Sequence, residues 1–166
     1  MDSSEILLTL AEIAITLAGF VGLLAVFKQS SVWTSEEILR LFSTLGLCFA
    51  AITAAILPEG ITHFSSSELL IWGVPLFVAG LTPIITSGRV IYRSFSVGYT
   101  YTTSLGRIVT YLTVLIGLIF VLASFDIMLP REEGTLIFSV LFLILLAGLS
   151  FALSIVRSVT NMEADT

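Results

Sequence analysis

The chain has 166 residues, of which 57% are hydrophobic and only 11% charged, with a formal net charge of −5 and a mean hydropathy of +1.09. A water-soluble domain carries roughly 25% charged residues, because it must wet its surface. This composition excludes such a domain and also a basic nucleic-acid-binding module, and it points to the bilayer as solvent. Lipid requires every backbone polar group to be paired internally, which leaves helices or closed barrels. The apolar runs are long rather than alternating, so the predicted fold class is all-α, a polytopic bundle of membrane helices.

The first predicted span covers residues 6–27 and carries one charge, Glu12. The acidic start, Met1-Asp2-Ser3-Ser4-Glu5, lacks the basic region of a signal peptide, so this segment is expected to remain as a helix. A loop containing Gln29-Ser30-Ser31 follows, and Ser35-Glu36-Glu37 reads as the N-cap and acidic first turn of a second span, 38–57, ending at Pro58. Ser67-Glu68 reads the same way for a third span, 69–92, which contains Pro75 and Pro83. The fourth and fifth spans cover 108–125 and 135–156, separated by Pro130-Arg131-Glu132-Glu133-Gly134. Each is close to the roughly 20 helical residues that cross a hydrocarbon core. The connections are too short to fold as soluble domains, so the chain reads as a single transmembrane domain.

Orientation follows from the basic residues. With five crossings, Lys28, Arg40, Arg89, Arg93, Arg107 and Arg157 share one side, and Arg131 alone lies opposite. The expected arrangement has the N-terminus outside and the C-terminus in the cytoplasm. The outer side is then acidic, through Asp2, Glu5, Glu12, Glu59, Glu68, Asp126, Glu132 and Glu133 against Arg131. Such a rim concentrates cations, or is simply a solvated edge.

Glu12 is the sharpest chemical feature. It lies about 10 Å along the helix from Glu5, at roughly 1.5 Å per residue. An ionisable group at that depth costs a few kcal/mol unless it meets water or a partner. Glu5, Thr9, Glu12, Thr16 and Gly19 share one helical face. This polar stripe, with Glu5, Thr9, Glu12 and Thr16 as candidate ion-pathway residues, would line a water-filled vestibule, either within one bundle or at the axis of a homo-oligomer. The plainer alternatives make Glu12 a protonated or hydrogen-bonded packing residue, or start the buried helix later and leave it among the headgroups.

In the third span, Pro75 and Pro83 each remove a backbone donor and are expected to bend the helix. Gly73, Gly80 and Gly88 add flexibility, and Thr82, Thr86 and Ser87 are placed to bond freed carbonyls. Ala11, Ala14, Ala18, Gly22 and Ala25 on the first helix, and Gly106, Thr110, Thr113 and Gly117 on the fourth, read as close-packing stripes. Arg89, Arg93 and Arg107 are candidate contacts for lipid phosphates or a cytoplasmic protein partner, and equally serve as topology signals. Trp33, Trp72 and Tyr92 fall where interfacial aromatics belong. Cys48, inside an apolar run, reads as a buried small residue, and His63 as an exposed loop residue without the partners of a metal site. No constellation for catalysis is visible, so the expectation is a protein that is not an enzyme and has no cofactor, metal or nucleic-acid partner.

The run Ala11-Glu12-Ile13-Ala14-Ile15-Thr16-Leu17-Ala18-Gly19-Phe20-Val21-Gly22, with the following Trp33 and Arg40-Leu41, resembles the opening of small uncharacterised bacterial multi-pass membrane proteins. The resemblance implies a bacterial membrane location and no activity. From the residues themselves, the leading expectation is a homo-oligomeric channel or transporter-like protein for cations or protons. The alternative is a scaffold or accessory subunit that recruits a cytoplasmic partner.

Overall fold

The computed structural model describes residues 3–27, 35–96 and 104–164. Lys28, Trp33 and Asp165 lie outside them, as do the side chains of Glu36, Arg93, Gly106-Arg107 and Arg157. Among the described residues the chain is all-helical. The helices are α1 (Ser3–Phe27), α2 (Ser35–Thr62), α3 (Val74–Ser96), α4 (Ser104–Ser124) and α5 (Glu133–Ala164), with a π-helical turn, Leu69–Gly73, leading into α3.

Four stretches are long and apolar enough to cross a membrane: Ser3–Val26, Ile38–Thr62, Leu69–Tyr92 and Glu133–Leu153. In α4 the described apolar stretch is Thr110–Ser124. Large apolar side chains stand exposed on every helix, among them Phe20, Phe49, Ile85, Leu115 and Leu145. A surface this apolar on all sides suits lipid, because soluble monomers rarely expose such large contiguous patches.

At the centre, α2 packs against α1, α3 and α5. Its buried face is small: Ala50, Ala51, Ala54 and Ala55, with Leu47 and Cys48. Leu7, Leu10, Ala11 and Ala14 of α1 and Leu136, Val140, Leu143 and Ala147 of α5 complete the same core. Small side chains let helix backbones approach closely, which is what drives association where there is no water to exclude. α4 stands at the edge against α3, and Phe120 reaches α5 through edge-on contacts with Phe138 and Phe142.

The end of α2 and the cap before Leu69 differ from the sequence expectation. α2 does not stop at Pro58 but runs through it to Thr62, with Pro58 buried inside the helix. Pro58 removes the bond its own nitrogen would make and crowds the carbonyl four residues back, and the helix runs only as far as Thr62 beyond it. Ser67-Glu68 does precede a helix, but the N-cap position falls on Glu68 and not on the expected Ser67, and Glu68 makes no side-chain cap bond. The Ser67 carbonyl instead accepts from both Leu70 and Ile71 N–H, each at 3.0 Å, where the backbone opens into the π turn.

Candidate functional site

Helix α1 has two distinct faces. Leu7, Leu10, Ala11, Ala14 and Val21 are buried, and Ala18, Gly22 and Ala25 are half-buried beside them. This is the small-residue stripe expected to pack, and it meets α2 and α5. Glu5, Thr9, Glu12, Thr16 and Gly19 lie on the other side and are all exposed. The polar stripe therefore faces away from its own bundle. A vestibule between the helices of one copy does not include it; a surface shared between copies can.

The hydrogen bonding of that stripe gives it a chemical sign. The Thr9 hydroxyl donates to the Glu5 carbonyl and the Thr16 hydroxyl to the Glu12 carbonyl, each at 2.8 Å. With their protons committed to the backbone, the threonines present oxygen lone pairs outward. Together with the two carboxyl groups they form a row of acceptors, suited to a cation, a proton or a donor from another molecule.

In α3 the buried Pro75 is the second residue, one past Val74 at the end of the π turn, and the buried Pro83 sits inside the helix. The Thr82 hydroxyl donates to the Val78 carbonyl at 3.0 Å, and that of Thr86 to Thr82 at 3.0 Å and Pro83 at 3.2 Å. Gly73 and Gly80 serve close contact with α4 rather than freedom. A Cβ on Gly80 would lie 2.6 Å from the Gly117 carbonyl oxygen, and one on Gly73 would lie 3.1 Å from that of Ser124. Gly73, Gly80 and Ser87 recur every seven residues, as do Thr110, Gly117 and Ser124. The two contacts pair these series antiparallel. Gly88 has nothing within 4 Å of a Cβ.

At the opposite end from Glu5, Arg89 is exposed and Arg40 half-buried. Arg93 and Arg107 belong to α3 and α4, but their side chains are outside the described set. Nearby the structure brings together a pair that sequence reasoning missed. The hydroxyl of buried Thr44 on α2 donates to the Arg40 carbonyl at 2.9 Å and lies 3.0 Å from the Ser150 hydroxyl of α5. Threonine and serine are common in membrane helices, and only the pairing of α2 with α5 singles these two out.

Cys48 is fully buried, as its apolar setting implied, and His63 is exposed just past the end of α2. Trp72 is half-buried against the core and Tyr92 is exposed. Among the described residues no group of three or more His, Cys, Asp or Glu could hold a metal ion. The polar face of α1 is thus the best candidate for chemistry in the described part of the chain. No protein-family model matches this chain, and no curated protein or solved structure matches it either.

Proposed function

We propose that the chain is a five-crossing protein of the bacterial inner membrane that assembles with copies of itself and passes cations or protons along the polar face of α1. One observation carries this reading: Glu12, well inside an apolar helix, is exposed on the outer surface of its own bundle. A carboxyl group turned toward lipid at that depth is unfavourable by a few kcal/mol. Copies joined through α1 would cover it, and would bring several rows of oxygen acceptors around a common axis. Glu12 would act there as ligand or proton carrier, Glu5, Thr9 and Thr16 as the path to it, and Pro75 and Pro83 would give α3 a bend.

The fifth crossing is supported by the pairing of α4 with α3. The contacts at Gly73 and Gly80 run α4 beside a helix long enough to span, and its 21 residues reach about 30 Å at roughly 1.5 Å each. Five crossings with the basic residues inside put the N-terminus outside and the C-terminus in the cytoplasm. The exposed Arg89 at the inner end favours a second reading, an accessory subunit that recruits a cytoplasmic protein.

Flux of monovalent cations and protons into liposomes tests the first reading, with the purified wild type beside Glu12→Gln. Selective flux that the substitution alters is the expected result. Well-inserted protein that passes nothing across a range of pH and voltage would refute it, and co-purification of a soluble partner would then favour the second.

A further inference from the structure

The connection between α4 and α5 is unusually apolar for a loop. Phe125, Ile127, Met128 and Leu129 are all exposed. The end of α4 explains how they are held. Ile127 N–H donates to the Leu122 carbonyl at 3.0 Å and Asp126 N–H to Ala123 at 2.9 Å, the pair of bonds that closes a helix when the residue after its cap turns left-handed. Asp126 has φ 63° and Met128 φ 72°. Aspartate tolerates that region, whereas methionine adopts it at a cost of about 1–2 kcal/mol. The loop holds these apolar side chains outward at the end of α4.

Arg131 follows at once. Its N–H donates to the Asp126 carboxylate at 3.1 Å. Its stem lies against the π turn at Gly73, where a Cβ would come within 3.3 Å of the arginine Cδ. The side chain is half-buried, and its Nε has no hydrogen-bond acceptor in the protein. A buried donor without an acceptor is unfavourable, and because Nε is sealed inside the protein an outside molecule reaches only the terminal nitrogens of the guanidinium. Exposed Glu68 and Glu132 and half-buried Glu133 lie at the same end of the bundle.

We propose that this connection binds a phospholipid whose headgroup carries an amine. The four apolar side chains would lie among the acyl chains, and the terminal nitrogens of the Arg131 guanidinium would grip the phosphodiester, for which their planar fork is suited. Glu132 and Glu133 would receive the ammonium and disfavour a headgroup of net negative charge. The charges of the site, one cation flanked by acids, are the complement of a zwitterion. This site is separate from the face of α1 and stands or falls independently of flux.

Native mass spectrometry of the full chain tests it, titrating phosphatidylethanolamine against phosphatidylglycerol with the same acyl chains. The expected result is preferential retention of phosphatidylethanolamine. Its binding should fall about tenfold in Arg131→Ala, the scale of one charge-assisted contact of about 1.4 kcal/mol. The preference itself should disappear in Glu132→Gln/Glu133→Gln. Arg131→Lys keeps the charge but loses the fork, and it should weaken binding even if the alanine variant fails to fold. Equal retention of both lipids by the wild type, unchanged binding in Arg131→Lys and Arg131→Ala, or displacement by millimolar inorganic phosphate would each overturn the proposal.

Discussion

Gly80 and Gly117 meet backbone to backbone: a Cβ on either would lie within 2.8 Å of the other's carbonyl oxygen. No rotamer change relieves such a clash, because both obstacles are main chain. Gly80→Ala and Gly117→Ala should therefore push α4 away from α3 and cost at least about 1–3 kcal/mol, as overpacking does. Gly88→Ala, with open space around its Cβ, should be neutral or slightly stabilising through helix propensity. Thermal unfolding of the three variants in one detergent measures the contrast.

Thr44 and Ser150 offer a test of the α2–α5 contact. Thr44→Val and Ser150→Ala should each destabilise, and a double-mutant cycle should return a coupling near 0.6 kcal/mol, and below roughly 2 kcal/mol, typical of hydroxyl bonds between membrane helices. A coupling of zero would mean that the 3.0 Å contact contributes nothing to stability.

Outward placement of the polar stripe makes a prediction about cross-linking. If copies meet through α1, Glu12→Cys in a Cys48→Ala background should form disulfide-linked dimers in the membrane under mild oxidation. Ala14→Cys, on the buried face, should form none. Dimers at both positions or at neither would count against an α1 interface.

Cys48 has no exposed surface, and its thiol should resist a membrane-permeant maleimide in the folded protein. Labelling should become complete on denaturation in sodium dodecyl sulfate. Mass spectrometry of the intact chain reads the difference, and rapid labelling of the native protein would show that the core around α2 opens.

The end of α4 gives a sharper test of loop geometry. Asp126→Ala forces a methyl-bearing residue into the left-handed region and removes the carboxylate that receives Arg131 N–H. It should cost about 1–2 kcal/mol in unfolding free energy. Asp126→Gly loses only the second of these and should cost less.

Hydropathy was sufficient to find the helices, because a lipid-exposed helix must be apolar around most of its circumference and such runs cannot be hidden. Pro58 misled the boundary of α2, since proline reads as a stop in sequence but is tolerated inside a membrane helix, as it is here one turn from the end. The π turn before Pro75 left no local signature. The polar stripe of α1 was legible as a stripe, but not its direction. In water a charged face turns outward, whereas lipid supplies no such rule, and only the contacts of Ala11 and Ala14 with the core decide it. The seven-residue spacing of Gly73, Gly80 and Ser87 was likewise present in the chain. It acquires meaning only when α4 is laid beside it in register.

The central place of α2 bears on how the protein is made. Its alanine face is closed by α1 and α3, which are synthesised next to it, and also by α5, which emerges from the ribosome last of the five. Until α5 arrives, the part of the α2 surface that it covers stays open, and Thr44 lacks its serine. The bundle therefore cannot mature helix by helix in the order of translation. Assembly must wait for the final hairpin, and that interval is when a nascent copy is most open to insertion factors and to quality-control proteases.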